Sequence, residues 1–137
     1  MKWTQEYSLG IREIDEQHKR IVELFSKINT AIDDGAGWSA INYDILELLD
    51  FAQKHFVFEE ALMRLYGYQE IIGHAESHLI FVAKIVEVQR QSLQKTTTDI
   101  ALKELQQFSY DWLKKHILEE DKKYADYILS GVSIVRS

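Results

Sequence analysis

Apolar residues recur in alternating steps of four and three along four long segments of this chain. Such spacing gives an α-helix one continuous apolar face, which is typical of helices that pack side by side in a bundle. None of the 137 residues is proline, and no segment sustains the period-two alternation of a β-strand. The sequence therefore predicts an all-α fold.

Turn-forming residues separate the helical segments and define the predicted architecture. Gly35 and Gly67 supply two reversals, the polar run 96–99 supplies a third, and Gly131 is predicted to end the last helix. Ser39 is a candidate N-cap for the second helix. We predict an arm over residues 1–10 followed by helices over about 11–34, 39–66, 69–94 and 98–130. The short connections imply an antiparallel, up-down-up-down four-helix bundle that forms a single domain over residues 1–137.

The composition excludes several classes of function. Because the chain contains no cysteine, it has no disulfide, no thiolate metal site and no cysteine nucleophile. Its net charge of −6, without a lysine or arginine cluster, argues against nucleic acid as a partner. The first residues lack the apolar run of a signal peptide, and no apolar run approaches the length of a bilayer span. We therefore expect a cytoplasmic protein with no membrane association, and its polar outer faces predict a monomer.

All five histidines of the chain fall within the apolar seams, where a polar side chain is costly unless it finds a partner. Two carboxylates share these seams. His55 and Glu59 are four residues apart, as are His74 and His78. Because four residues advance a helix by about 400°, both members of each pair leave the same face. The seven polar seam residues are His18, His55, Glu59, His74, His78, His116 and Asp121.

The helical rise of about 1.5 Å per residue brings these side chains to one height in the predicted bundle. His18 and His55 each lie about 16 residues from the first turn, so antiparallel neighbours place them level. His78 and His116 are level across the third turn for the same reason. Five imidazoles buried without a cation would need many hydrogen-bond partners. The sequence therefore predicts a metal site inside the bundle.

The fourth helix offers two candidate carboxylates. Glu120 follows His116 by four residues and shares its face, whereas Asp121 lies roughly 140° around the helix from His116. The seam that contains Asp121 continues with Tyr124 and Ile128, which suit a core. We therefore predict that Asp121 faces inward. The other acidic residues near the predicted site are expected to face solvent: Glu60, Glu76, Glu119 and Glu120.

Imidazole and carboxylate ligands without a thiolate suit iron, zinc, copper or manganese. Seven ligands are too many for one ion, but two ions bridged by both carboxylates would use them all. If a solvent-derived oxygen also bridged the ions, three histidines would saturate one octahedral ion, and two would leave the other with a single open position for a small diatomic ligand. Ferritin-like di-iron oxygenases use four carboxylates and two Glu-x-x-His motifs. This chain has no Glu-x-x-His motif, and neutral nitrogen ligands favour binding over O–O cleavage.

These residues resemble the hemerythrins, and most closely the single-domain bacterial hemerythrins. The resemblance spans essentially the whole chain and includes an early tryptophan, Trp3. The matching motifs are Asp15-x-x-His18, His55-Phe56-x-x-Glu59-Glu60-x-x-Met63, the His74/His78 pair and His116-Ile117-x-x-x-Asp121.

The resemblance implies a non-haem centre of two iron ions, bridged by carboxylates and by an oxo or hydroxo group, that binds O2 reversibly. His74, His78 and His116 would saturate one iron. His18 and His55 would hold the iron with the open position, and Glu59 and Asp121 would bridge the two. The wall of the O2 pocket would be formed by apolar residues near these ligands: Ile21, Phe25, Phe56, Trp112 and Leu113.

We therefore expect an O2-binding protein for storage, delivery or sensing, with no catalytic residues. The alternative is an enzyme that uses the same site, such as a peroxidase or a protein that handles nitric oxide. A third hypothesis is a purely structural bundle, such as a detached receiver of a signalling system.

Overall fold

The computed structural model describes residues 1–92 and 98–136, and within these ranges the chain is helical with no β-strand. The all-α prediction is therefore confirmed. None of the described helices is long and apolar enough to cross a membrane. A short 3₁₀ turn covers Gln5–Tyr7, and a π-helical turn at His116–Asp121 joins the last two helices into one fourth helix. The helices are α1 (Arg12–Asp33), α2 (Trp38–Leu65), α3 (Ile71–Gln91), α4 (Thr98–Lys115) and α5 (Lys122–Arg136).

The helices pack as a four-helix bundle. α1 packs against α2, α2 against α3, α3 against α4, and α4 returns to α1. Buried apolar side chains fill the two ends of the bundle separately. The larger core includes Phe25, Ile45 and Ile85, whereas the core at the other end includes Met63 and Tyr124. The layer between the two cores holds the polar seam residues.

Several predicted helix ends differ from those in the structure. α2 begins at Trp38 with Gly37 in the N-cap position, so Ser39 already lies within the first turn and is not the cap. Gly131 does not adopt a positive φ, and α5 continues past it to Arg136. Gly35 and Gly67 do adopt positive φ values of 72° and 67°, where glycine carries no steric penalty. Of the predicted third turn at 96–99, residues 96 and 97 lie outside the described residues, whereas residues 98 and 99 already belong to α4.

The N-terminal arm is tied to the bundle by Asp15. One carboxylate oxygen accepts a hydrogen bond from the backbone N–H of Leu9 at 2.7 Å. The other accepts from the Ser8 hydroxyl at 2.8 Å and from the Gly10 N–H at 3.3 Å. Leu9 is buried against Ala125 as a result. The arm therefore belongs to the core at this end and does not merely cover its outside.

Replacing Asp15 with alanine is expected to lower the free energy of unfolding by about 2 kcal/mol, because two backbone N–H groups lose their acceptor next to a buried side chain. Urea denaturation of the metal-free protein measures this change. Glu16→Ala is the matched control, since Glu16 is exposed and pairs only with the exposed Lys19. We expect the control to change stability by less than about 0.5 kcal/mol. Equal losses in both variants would contradict this role for Asp15.

Candidate metal centre

The seven polar seam residues meet in the middle of the bundle. All four helices contribute to the cluster, and each of the seven residues is at most 5% exposed. α1 contributes His18, α2 contributes His55 and Glu59, α3 contributes His74 and His78, and the fourth helix contributes His116 and Asp121. The structure thus brings together every residue that the sequence analysis placed at the site.

The donor atoms form two groups that share both carboxylates. One group has the imidazoles of His74, His78 and His116, and the other has those of His18 and His55. In each group, the donor atoms lie within 4.8 Å of one another. The division into three and two is the one that the sequence analysis anticipated.

Each carboxylate directs one oxygen toward each group. Glu59 places Oε1 3.1 Å from His78 Nε2 and Oε2 3.3 Å from His55 Nε2. Asp121 places Oδ1 3.0 Å from His116 Nε2 and Oδ2 3.0 Å from His18 Nε2. Both carboxylates are therefore shared between the two groups of imidazoles.

The spacing within the three-imidazole group fits a first-row metal ion. The Nε2 atoms of His78 and His116 are 3.0 Å apart, and His74 Nε2 is 2.8 Å from Asp121 Oδ1. Bonds of about 2.1 Å to a metal place neighbouring octahedral ligands about 3.0 Å apart. Donor atoms of the cluster thus lie at the separations that a shared cation would impose.

Hydrogen bonding within the described structure leaves part of this cluster unsatisfied. Buried polar atoms without a partner are rare because each costs free energy. Six atoms of the cluster have no hydrogen-bond partner: both ring nitrogens of His18, Nε2 of His74, Oε1 of Glu59 and both carboxylate oxygens of Asp121. Their number and chemistry fit cation ligands.

The π-helical turn explains how His116 and Asp121 both face inward. In an α-helix, residues five apart would diverge by roughly 140°. The π-helical turn accommodates one additional residue, which realigns the two side chains. Asp121 is fully buried, whereas the side chain of Glu120 is 35% exposed. This local change of helix type shifts the inward-facing seam by one residue, so that after Asp121 it continues with Tyr124 and Ile128.

Partners on the outer side orient three of the imidazoles. His55 Nδ1–H donates to Gln17 Oε1 at 2.6 Å. His78 Nδ1–H donates to Glu60 Oε2 at 3.0 Å. His116 Nδ1–H donates to Glu120 Oε2 at 2.7 Å. Each hydrogen bond leaves Nε2 free to point into the cluster. The expectation that Glu60 and Glu120 merely face solvent is therefore wrong.

Sequence reasoning could have found only one of these three partners. The four-residue spacing of His116 and Glu120 is readable on a single helix, whereas Glu60 reaches His78 from another helix. The His116 hydrogen bond also lowers the pKa of Glu120. A partly exposed carboxylate beside a seam looks like ordinary solvated surface until the packing of helices is known.

Replacing Glu120 with alanine is expected to weaken metal binding about 10- to 100-fold, because His116 loses the partner that fixes its tautomer and ring orientation. Competition with a chromophoric chelator measures the affinity. Glu119→Ala is the matched control, since Glu119 is the exposed neighbour. Unchanged affinity in the Glu120 variant would show that packing and the Ser77 hydroxyl, 3.3 Å from His116 Nδ1, orient the ring without Glu120.

Charge within the cluster is balanced between imidazoles and carboxylates. Burial lowers the pKa of His18, but the adjacent carboxylates of Asp121 and Glu59 outweigh this effect and raise it to about 9. The pKa of His116 rises to about 10, since the charge of Asp121 likewise outweighs burial. Burial raises the pKa of Glu59, but the charge of His55 holds it well below the usual range. Metal cations that bind here must therefore displace protons from the imidazoles.

Tyr124 is a buried partner of the cluster that the sequence analysis assigned only to packing. Its hydroxyl donates a hydrogen bond of 2.6 Å to Glu59 Oε2, the oxygen directed toward the two-imidazole group. Burial and the nearby charge of Glu59 raise the pKa of Tyr124, so the hydroxyl keeps its proton. Tyr124 therefore holds Glu59 in the orientation that serves both groups.

The five residues expected to line a pocket all belong to the larger apolar core. Phe56 stacks on His78 with 4.0 Å between ring centroids, and its ring lies 5.8 Å from that of the adjacent His55. Trp112 stacks on His116 at 4.2 Å. Ile21, Phe25 and Leu113 are at most 3% exposed. Apolar side chains therefore shield the cluster on this side.

Fold and cluster together define a four-helix-bundle protein with a candidate cation-binding interior. Residues 9–128, a range that includes all seven cluster residues, match the family model described as the hemerythrin HHE cation binding domain. The chain belongs to the hemerythrin family.

Curated relatives agree with this placement. The chain is 34% identical to a bacteriohemerythrin of Pseudomonas aeruginosa over 131 residues, which cover 96% of this chain and 83% of the relative. It is 30% identical to a bacteriohemerythrin of Clostridium acetobutylicum, with 90% and 98% covered. A hemerythrin-like protein of Naegleria gruberi is 33% identical, with 89% and 88% covered.

Proposed function

We propose that this protein binds O2 reversibly at a non-haem di-iron centre held by the seven cluster residues. The observation that carries the proposal is the division of both carboxylates between a three-imidazole and a two-imidazole group. Glu59 and Asp121 each offer one oxygen to each group, which provides for two ions. The relatives are named bacteriohemerythrin, and hemerythrin-family proteins generally bind or sense O2 rather than act as enzymes.

The two groups offer unequal numbers of protein ligands. His74, His78 and His116 with the two carboxylates supply five donors, whereas the other group has four. A pair of ferrous ions would supply the electrons that make O2 binding favourable. With a solvent-derived oxygen shared by both ions, five donors would complete an octahedral ion, whereas four would leave one position open for a small ligand. This inequality supports ligand binding over a purely structural role.

The apolar wall supports reversible binding. Phe56 and Trp112 stack on imidazoles of the cluster, and Leu113 is buried beside them in the larger core. Such a wall excludes water and limits the supply of protons to a bound ligand. Slow proton supply favours release of the ligand over its reduction. Ile21 and Phe25 extend the wall along α1.

The test is to load the protein with iron, reduce it without oxygen, and record the visible spectrum as O2 is added and removed. We expect about two irons per chain and a charge-transfer band that appears with O2 and disappears when O2 is withdrawn. A protein that binds no iron after iron-replete expression would contradict the proposal.

The same experiment separates binding from catalysis. Irreversible loss of the band with continuous consumption of O2 or peroxide would instead support the enzyme alternative. Parallel titrations with nitric oxide show whether O2 is the preferred ligand. The metal-free protein is the control, because any band that it shows cannot belong to the centre.

A further inference from the structure

α3 carries a second apolar stripe that faces away from the bundle. Ile72, Leu79 and Val86 are 73%, 67% and 48% exposed. They recur every seven residues, which keeps them within about 40° of one another around the helix. Ala75 and Ala83 lie on the same face. We call these five residues the outer stripe, and it departs from the polar outer face that a monomer was expected to have.

Exposed apolar side chains are unevenly distributed over the bundle. Of the fourteen large hydrophobic side chains that are exposed in the described ranges, nine lie on α2 and α3, and α1 carries none. The outer stripe lies on this half of the bundle, and a contiguous apolar patch marks an interaction surface more often than scattered exposed residues do.

The outer stripe is symmetric about Leu79. Its steps are three, four, four and three residues, and residues at mirrored positions are alike in type: alanine at 75 and 83, and a β-branched aliphatic residue at 72 and 86. We consider two antiparallel copies of α3 related by a two-fold axis through Leu79. Residue 72 of one copy would then face residue 86 of the other, and residue 75 would face residue 83. The small alanines allow the two helices to approach closely. Such self-complementarity is what a symmetric dimer requires.

The extent of the apolar face and its lack of charge also fit a second copy. Val57 on α2 is 69% exposed and lines a groove of about 240 Å³ together with Leu79, which widens the apolar face. The stripe itself carries no charge.

We propose that this protein forms a two-fold symmetric homodimer through the outer stripe, with Leu79 on the symmetry axis. The stripe lies on the outside of the bundle, and none of its five residues belongs to the metal cluster. The groove beside Leu79 is also lined by His78 and its partner Glu60, so this face lies next to the three-imidazole group.

Sedimentation velocity of the full chain tests the proposal. Between about 10 µM and about 500 µM we expect a concentration-dependent equilibrium of monomer and dimer. Leu79→Glu would place two carboxylates together on the axis and weaken association more than about 100-fold. Ile80→Glu is the matched control, since Ile80 is 59% exposed but lies about 100° around the helix. A monomer at every concentration, or equal weakening by both substitutions, overturns the proposal.

Disulfide trapping tests the register of the two helices, because the chain has no cysteine of its own. Leu79→Cys should form a linked dimer under mild oxidation. Ile72→Cys should link to Val86→Cys in a mixture but not to itself, since two copies of residue 72 would be about 21 Å apart along the helices. Ile80→Cys should remain unlinked. Equal linking of Leu79→Cys and Ile80→Cys would rule out this geometry.

Discussion

Replacing His78 with alanine is expected to abolish stable metal loading of the three-imidazole group. His78 Nε2 lies 3.0 Å from His116 Nε2 and 3.1 Å from Glu59 Oε1, so its loss removes a donor from the centre of that group. The loss in affinity should exceed the roughly 100-fold that removal of an outer partner costs. Metal content after dialysis against a chelator measures the effect. We expect less than about one ion per chain to remain.

The substitution also removes the ring on which Phe56 stacks, so a purely structural effect must be excluded. Free imidazole can enter the space that the side chain leaves, and it should restore part of the metal binding if His78 is a ligand. Glu76→Ala is the control on the same helix, because Glu76 is exposed. Full metal content in the His78 variant would remove His78 from the proposed ligand set.

Inserting one alanine between Glu119 and Glu120 is the second change with a large expected effect. The insertion would rotate the following helix by about 100° relative to His116. Asp121 would leave the inner face, together with Tyr124, and both groups would lose a shared carboxylate. We expect loss of metal binding while far-UV circular dichroism still reports a helical protein.

Deletion of Glu119 is the matched control for this insertion. The deletion removes the extra residue of the π-helical turn and leaves His116 and Asp121 four residues apart on an ordinary α-helix, where they share a face. We therefore expect the deletion variant to bind metal, with an affinity lowered by at most about 10- to 100-fold because Glu120 shifts relative to His116. Equal metal binding by the insertion and deletion variants would show that helix register does not position Asp121.

Periodicity is the reason that much of the fold could be predicted from the sequence. A seam that combines His18 with Ile21 and Phe25 specifies both a helix and the face that it buries. Because helical rise is constant, the heights of His18 and His55 also follow from the number of residues to the turn. The burial of Asp121 followed from its apolar neighbours along the helix.

Features that depend on contacts between helices could not be predicted in this way. Gln17 and Glu60 orient imidazoles of neighbouring helices, and nothing in their local sequence indicates it. The hydrogen bond from Tyr124 to Glu59 also joins two helices. Gly131 looked like a helix end, but glycine only permits a reversal and does not impose one, so α5 continues to Arg136. The π-helical turn was visible only as a one-residue shift of the seam.

The outer hydrogen bonds have an electronic consequence for the two halves of the cluster. His78 and His116 both donate to carboxylates, whereas His55 donates to a neutral amide, and His18 Nδ1 has no hydrogen-bond partner within the described ranges. An imidazole backed by a carboxylate is the stronger electron donor. Two ions in the cluster would therefore have different reduction potentials. The ion on the three-imidazole side should be the first to lose an electron when a fully reduced pair is oxidised.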